Sequence, residues 1–347
     1  LRSVLASLPD EALLDGLRQA RGNGRDDYPV EVLWGVLLAS ILCRHGCLND
    51  CLAELHRNPA LCALLGIRSA SAIPAPCNLS RFLDVLGQQP HLDALRAVFD
   101  TLLARMGEAV PDLGRNTAGD STALKAKAKK SEAAVKAEVE QGLPQPSGGR
   151  KEYTDDEGKV AKVYEWFGYK LHLLVDTRHE VALAWHVSDT RMGDNEGIVP
   201  LAEQAQAGLP QGRIETMAYD KAADDSKVHE ALHERGIKPV VRMRALWKDE
   251  KEKPLRVGLP VVYDEAGTLF CYDTQSDPPV RRQMSCLGHE KDRGTVKWQC
   301  PAKRDGLTCA SLEKCSQGRE QGLVVRVKCE DDLRRHPAIP RSTKQFE

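Results

Sequence analysis

Residues 116–130 of the chain read N-T-A-G-D-S-T-A-L-K-A-K-A-K-K. A single carboxylate, Asp120, follows small residues and precedes two hydroxyls, after which the segment becomes basic. A carboxylate beside a run of lysines suits a site that holds a divalent cation while polyanionic phosphate lies across it. Asp120 is therefore a candidate ligand, and Lys125 and Lys127 are candidate DNA contacts. Lysines at alternate positions are equally typical of a solvated surface, so the pattern leaves both interpretations open.

The composition predicts an ordinary globular protein of two or three domains. The chain has 347 residues, of which 41% are hydrophobic and 29% are charged. The longest apolar run, residues 32–43, is shorter than the roughly 20 residues of a membrane helix, and the first residues lack a secretory pattern. We therefore expect a cytoplasmic location and no membrane partner.

Positive charge is unevenly distributed, although the net charge is only −1. Residues 1–112 carry 10 Arg and no Lys against 13 Asp and Glu, whereas residues 281–304 carry seven basic residues against two acidic ones. Local patches of this kind can bind DNA although the whole chain is nearly neutral. Arg281 and Arg282 are therefore further candidate DNA contacts.

The first third of the sequence, residues 1–112, has the periodicity of short helices. Helices are predicted over residues 9–21, 29–43 and 90–106, and after the capping residues Asn49, Asn58 and Asn78. A small bundle of this kind often presents a helix to a DNA groove, which would make Ser80 and Arg81 the contacts. A dimerisation domain explains the same pattern, and the sequence does not decide between them.

The middle third changes to the alternation of strands. Strands are predicted over residues 115–124, 163–176, 180–188, 216–219 and 238–243, with helices over residues 194–207 and 225–235. This order predicts an α/β fold with a mixed sheet, interrupted at 126–150 by a flexible basic insertion.

Two aspartates meet at one edge of such a sheet. Asp120 lies on the first predicted strand and Asp220 at the end of the fourth. Two carboxylates at the carboxyl edge can bridge a pair of Mg²⁺ (or Mn²⁺) ions, the arrangement that serves phosphodiester chemistry. Asp224 is interpreted as an ordinary helix cap.

The last third, from residue 246, predicts short strands, basic turns and cysteines. Cys300, Cys309 and Cys315, with Cys286 or Cys329 nearby, suggest a small site for structural Zn²⁺. The gaps of eight and five residues differ from the C-x₂-C of a zinc ribbon, so reduced thiols are the alternative.

One further motif points to a different class of protein. H-E-A-L-H at residues 229–233 places His229, Glu230 and His233 as an H-E-x-x-H zinc protease would. Pro239 stands where a metzincin has its third histidine, and Glu252 as a third ligand is only a guess. A chance match on a solvated helix is the competing interpretation.

An ordered set of segments resembles the insertion-sequence transposases of the DDE class, in the insertion-sequence-four-like branch. These segments are N-P-A-L-C-A-L-L-G-I at 58–67, G-D-S-T at 119–122, F-G-Y-K-L-H-L-L-V-D at 167–176, A-Y-D-K-A-A-D-D-S at 218–226, R-G-I-K-P-V-V-R-M at 235–243 and I-P-R-S-T-K-Q-F at 339–346. Together these segments cover almost the whole chain.

The resemblance implies an RNase H-like core and a bacterial, DNA-associated enzyme. It would cut transposon ends and join the freed 3′-hydroxyls to target DNA as a homodimer. Asp120 matches the first acid of the family's triad, and Asp220 matches the second. The family signature Asp-Lys-Gly-Tyr-Asp is altered here, because Ala222 and Ala223 replace its Gly-Tyr pair. Lys170, His172 and Lys221 match positions that could touch phosphate.

By resemblance, the third acid is a Glu a short way past the I-P-R-S-T-x-x-F segment. The sequence stops at Glu347, which is the wrong position, so we expect both ends to have been cut from a longer protein. The resulting domain prediction is a helical DNA-binding or dimerisation domain (1–112), a catalytic core (113–245), a β-rich Cys-containing insertion (246–335) and the start of a return segment (336–347). The alternatives are an RNase H-like nuclease without strand transfer and an inactive DNA-binding remnant.

Overall fold

The computed structural model describes residues 2–22, 28–126, 131–155, 159–244, 246–247 and 252–346. The chain divides into two compact units. The first comprises Leu1–Ala109 and Lys130–Leu143, and the second comprises Val110–Lys129 and Pro144–Glu347.

The described part of the first unit is helical. Its helices are α1 Arg2–Ser7, α2 Glu11–Arg21, α3 Val30–Leu42, α4 Leu48–Arg57, α5 Pro59–Leu64, α6 Pro76–Leu86, α7 His91–Ala109 and α8 Glu132–Glu140. Helix α3 is apolar on most of its surface, and Trp34, Val36 and Ala39 are buried in the core. The indole Nε1 of Trp34 donates to Asp10 over 2.6 Å, which satisfies its one polar atom.

Of the three predicted helix-capping residues, one caps its helix in the structure. Asn58 caps α5, because its Oδ1 accepts from the backbone N–H of Leu61 over 3.1 Å. The predictions for Asn49 and Asn78 are wrong, because both residues lie within the first turn of their helices. Asn78 accepts instead from the N–H of Ala75 over 3.1 Å, as a residue at the third helical position does in a capping box.

The second unit is built on a six-stranded mixed sheet. Its strands are β1 Asn116–Lys125, β2 Ser147–Thr154, β3 Val160–Asp176, β4 Ala182–Ser188, β5 Thr216–Tyr219 and β6 Lys238–Val241, and its helices are α9 Asp194–Gly208 and α10 Ser226–Glu234. The central strand β1 pairs antiparallel with β3 and parallel with β5. Strand β4 extends the sheet beyond β3, and β6 extends it beyond β5 in parallel.

The predicted flexible insertion at 126–150 is more ordered than its composition suggested. Its described residues include α8 and the start of β2, and β2 pairs antiparallel with the first half of β3. Gly149, which falls within the predicted flexible insertion, lies in this pairing beside the indole of Trp166. A Cβ at Gly149 would approach that ring to 2.4 Å, so the glycine makes room for the tryptophan.

Helix α9 covers one face of the sheet. On β3 the side chains of His172, Leu174 and Asp176 are buried, whereas those between them are only partly covered. Leu174 packs on this face, and Ile198 and Leu201 of α9 are fully buried. Because strand side chains alternate, this arrangement leaves the opposite face of β1 more open.

The rest of the second unit is a β-rich segment. Its elements are β7 Lys253–Pro254, β8 Val261–Tyr263, β9 Leu269–Asp273, β10 Val280–Gln283, β11 Ser285–Glu290, β12 Thr295–Gln299, α11 Pro301–Arg304, α12 Leu312–Ser316 and β13 Val324–Lys328. The strands form a sheet of order β10-β9-β8-β7 and a sheet of order β11-β12-β13. Val261, Met284 and Trp298 are buried in a core of their own. Within the described ranges, no helix is both long enough and apolar enough to span a membrane.

Candidate active site

The pairing of β1 with β5 brings Asp120 and Asp220 together at one edge of the sheet. The last paired residues are Ala118 and Ala218, and each aspartate lies two positions further along its strand. Asp220 keeps an extended backbone, with φ −69° and ψ 172°. Because side chains alternate along a strand, both carboxylates share the face of the two alanines, and neighbouring strands are about 4.8 Å apart.

Both carboxylates are exposed and available for a cation. Asp120 Oδ1 accepts from the N–H of Ser121 over 2.7 Å, and Asp220 Oδ1 accepts from the N–H of Ala222 over 2.9 Å. Neither forms an ion pair with any residue that the structure describes. Carboxylate oxygens are the ligands that Mg²⁺ and Mn²⁺ prefer, so the two aspartates fit such an ion chemically. They are two ligands only, since no group of three or more His, Cys, Asp or Glu among the described residues is arranged to hold a metal.

The residues that precede the two acids pack directly on each other. A Cβ placed on Gly119 would lie 2.1 Å from the ring of Tyr219, so the ring occupies the space a side chain would need. Burial raises the pKa of Tyr219, and the carboxylates of Asp194 and Asp120 raise it further, so the phenol stays protonated. We expect this contact to limit how β1 and β5 are spaced immediately before both acids.

A charged network lies beneath Asp120 on the face covered by α9. Ser121 Oγ donates to Asp194 Oδ1 over 2.6 Å, and Lys170 Nζ lies 2.7 Å from the same oxygen. Burial alone would raise the pKa of Asp194, but hydrogen bonds from Lys170 and Ser121 lower it below its ordinary value. The ionised carboxylate therefore ties the first residue of α9 to β1 and β3.

The structure contradicts the prediction that Lys170 and His172 contact DNA. The Lys170 side chain is 17% exposed and also donates to the carbonyl of Met192 over 3.0 Å. His172 is 2% exposed, and its Nε2 lies 3.0 Å from Ser188 Oγ. Burial lowers the pKa of His172, and the Lys170 charge lowers it further, so the ring is neutral at pH 7. The alternation of β3 places both side chains under α9 rather than toward solvent.

A Lys170→Met substitution is expected to act on stability. It would leave the largely buried Asp194 carboxylate without its cation, which costs about 3 kcal/mol in the free energy of unfolding. Urea denaturation measures this loss. The matched control is Lys221→Met at an exposed lysine, which should change stability by less than about 0.5 kcal/mol. Equal stability of the two variants would contradict the structural role of Lys170.

Two predicted lysine contacts are exposed on the segments that carry the acids. Lys221 directly follows Asp220 and begins a 3-10 turn, Lys221–Ala223. Lys125 ends β1, and its Nζ lies 5.2 Å from the centre of the Tyr164 ring. Lys127 lies outside the described residues.

The other predicted contacts are distributed over both units. Ser80 and Arg81 are exposed on α6 of the helical unit. Arg281 lies on β10, where it pairs with Glu252, and its guanidinium carbon is 3.4 Å from the centre of the Phe270 ring. Arg282 is only half-buried and lies beside it on the same strand. Arg281 is therefore partly neutralised before any phosphate reaches it.

The predicted zinc ligands Cys300, Cys309 and Cys315 lie near Cys271, whose pKa is raised by burial and further by these three thiols. No group of three or more ligands among the described residues is arranged to hold a metal ion. The loop that carries Cys309 is held instead by the carboxylate of Asp273, which accepts from the N–H of Ala310, and from the N–H and hydroxyl of Ser311, over 2.7 to 3.0 Å. The additional ligands that the sequence suggested, Cys286 and Cys329, belong to the apolar core of the β-rich segment.

The zinc-protease interpretation of residues 229–233 is also wrong. His229 is buried, with Nε2 3.3 Å from Asp224 Oδ1, whereas His233 is exposed. The two histidines do not belong to any group of three ligands among the described residues. The H-E-x-x-H pattern at residues 229–233 is therefore a chance match.

Sequence reasoning missed three of the residues around the acids. Gly119 and Tyr219 each precede a candidate acid, and Asp194 opens the helix after β4. Only the doublets G-D and Y-D signalled the first two. The role of Asp194 depends on a partner 73 residues away, Ser121, which no local pattern reveals.

The fold and the pair of aspartates together define a class of protein. A mixed sheet in which aspartates from two neighbouring parallel strands meet at one edge is consistent with an RNase H-like transposase domain. A family model described as "Transposase DDE domain" matches residues 117–326, more than half of the chain. The chain therefore belongs to this family of DDE transposases, which implies DNA as its partner and, typically, a divalent metal. A search of curated proteins found no match.

Proposed function

We propose that this transposase cleaves transposon ends and joins the freed 3′-hydroxyls to target DNA. The observation that carries the proposal is the register of β1 and β5, which sets Asp120 and Asp220 side by side on the open face of the sheet. The insertion-sequence-four-like branch and a bacterial cytoplasmic location are parts of the same proposal.

The two aspartates would hold Mg²⁺ or Mn²⁺, and the bound ions would activate the attacking oxygen and stabilise the leaving one. The surrounding side chains suit the approach of a DNA strand. Ala118 and Ala218 share the face of the acids and are small, so they leave room above the sheet. Lys221 adds an exposed positive charge next to Asp220.

Further basic and polar residues would supply affinity for the DNA backbone. The proposed contacts are Lys221, Lys125, Ser80, Arg81, Arg281 and Arg282, together with Lys127 outside the described residues. Contacts of this kind make binding fall with added salt. A homodimer that holds two transposon ends completes the proposal.

The test uses labelled DNA that spans the chromosomal flanks of the gene, incubated with a full-length version of the protein that carries the predicted third acid, Mg²⁺ or Mn²⁺ and a supercoiled target plasmid. The proposal requires end cleavage and labelled plasmid that carries the joined end. Cleavage without joined product would instead identify a nuclease. Binding without cleavage in either metal would identify a DNA-binding remnant.

A further inference from the structure

Asp224 is a buried carboxylate that the proposed reaction leaves unused. The prediction that it caps a helix is wrong, because the N-cap of α10 is Asp225, whose Oδ1 accepts from the N–H of Lys227 over 2.8 Å. The Asp224 side chain is fully buried. A charge in that position requires several donors, since burial of an unpaired carboxylate is very unfavourable.

Arg334 and Arg244 supply those donors, and His229 lies close to the same carboxylate. Arg334 approaches both carboxylate oxygens, with Nε 3.0 Å from Oδ1 and Nη2 2.7 Å from Oδ2. The N–H of Arg244 donates to Oδ2 over 2.7 Å, and His229 lies 3.3 Å from Oδ1. Burial alone would raise the pKa of Asp224, but hydrogen bonds from His229 and Arg334 hold it well below its ordinary range. Asp224 is therefore ionised and saturated with partners.

Asp224 ends the short loop that presents Asp220. The loop is a 3-10 turn in which the N–H of Ala223 donates to the Asp220 carbonyl over 3.2 Å, and the N–H of Asp224 donates to the Lys221 carbonyl over 3.3 Å. Ala223 is fully buried. One end of the loop is held by β5 and the other by the Asp224 carboxylate.

The partner of Asp224 is Arg334, which lies just before the predicted return segment (336–347), and the name return segment is used from here for residues 332–346. Arg341 of this segment donates from Nε to the carbonyl of Val241, the last residue of β6, over 2.9 Å. Its Nη1 donates to the carbonyl of Arg334 over 2.7 Å, which joins the two arginines. Burial lowers the pKa of Arg341 to about 10. The return segment thus crosses the carboxyl ends of β5 and β6, at the edge where Asp220 lies.

We propose that Asp224 is a positioning residue that couples the return segment to the loop of the second acid. Its bond to Arg334 holds the 3-10 turn in the conformation that sets Asp220 beside Asp120. This inference rests on the proposed function for its catalytic consequence, but the coupling itself is a property of the fold. Asp224 touches neither DNA nor cation in this role.

The test compares Asp224→Asn and Arg334→Gln with the double variant in the full chain. The single variants are expected to lower end cleavage about tenfold and to raise the Mg²⁺ concentration for half-maximal cleavage, because a loosened turn no longer holds Asp220 in place beside Asp120. The double variant should be no worse than either single one, because both substitutions break the same link. The matched control is Glu290→Gln, which removes an Arg326 partner in the β-rich segment and should leave the metal dependence unchanged.

A second measurement does not need activity. Hydrogen–deuterium exchange in the full chain should speed up across residues 220–224 in Asp224→Asn and stay unchanged there in Glu290→Gln. Wild-type protein that fails to cleave DNA, together with faster exchange in Asp224→Asn, would overturn the proposed function and leave the coupling intact. Exchange across residues 220–224 that is unchanged in Asp224→Asn would overturn the coupling. So would cleavage by Asp224→Asn with the same dependence on Mg²⁺ concentration as the wild type.

Discussion

Asp120→Asn and Asp220→Asn are each expected to reduce cleavage of end-containing DNA by at least about a hundredfold. The carboxamide has nearly the shape of the carboxylate but lacks the negative charge that holds a divalent cation. Both side chains are exposed and have no ion-pair partner among the described residues, so folding should be preserved. Gel assays of cleavage in Mg²⁺ and in Mn²⁺ measure the effect, and binding to the same DNA should persist.

The matched control for these variants is Asp292→Asn. Asp292 is an exposed aspartate in the turn between β11 and β12, so the same chemical change occurs away from the two acids. Its cleavage rate should equal that of the wild type. Near-normal cleavage by Asp120→Asn or Asp220→Asn would show that the pair of acids is not the metal site.

Gly119→Ala is expected to reduce cleavage by about tenfold or more and to destabilise the fold by about 1–3 kcal/mol. The new methyl group would lie 2.1 Å from the Tyr219 ring, so the ring must move. Tyr219 is the residue immediately before Asp220 in the chain. Movement of Tyr219 is therefore expected to shift the second acid away from the first. Cleavage rate and urea denaturation, measured on the same preparation, report the two effects.

Gly148→Ala is the matched control. Gly148 also lies in a strand of the sheet, but a Cβ there would have no neighbour within 4 Å. It should leave both activity and stability nearly unchanged. The double variant Gly119→Ala, Tyr219→Ala removes the clash and should recover part of the lost activity. Full activity in Gly119→Ala alone would contradict the spacing role of the Gly119–Tyr219 contact.

The sequence predicted that Asp120 and Asp220 lie close together, but it did not predict how the residues around them are placed. The order of strands and helices was readable because alternation and caps are local properties. Parallel neighbours end at the same edge, so placing Asp120 on β1 and Asp220 after β5 already suggested their proximity. The same alternation in β3 did not show which face α9 covers, and Lys170 and His172 were therefore misread as DNA contacts.

The composition of residues 126–150 predicted a flexible insertion, and the structure differs for a related reason. A run rich in Ala, Lys and Glu that ends in Pro and Gly resembles a flexible arm. The structure instead pairs Gly149 with the long strand β3, because the absence of a side chain accommodates Trp166. Trp166 lies on another strand, so the sequence around Gly149 does not reveal this pairing. Cysteine spacing also did not reveal that Cys271 lies near Cys300, Cys309 and Cys315, or that Asp273 holds the loop beside them.

The amino-acid sequence by itself determined the kind of core and the two carboxylates at its edge, because hydrophobic periodicity and residue chemistry act over a few positions. Tertiary structure alone decided the spacing and support of those carboxylates. Tyr219 against Gly119, Asp194 with Lys170, and Asp224 with Arg334 join residues that are 24 to 110 positions apart. Burial strengthens the two ionic contacts, since an ionised group removed from water must find its partner wherever the chain brings one.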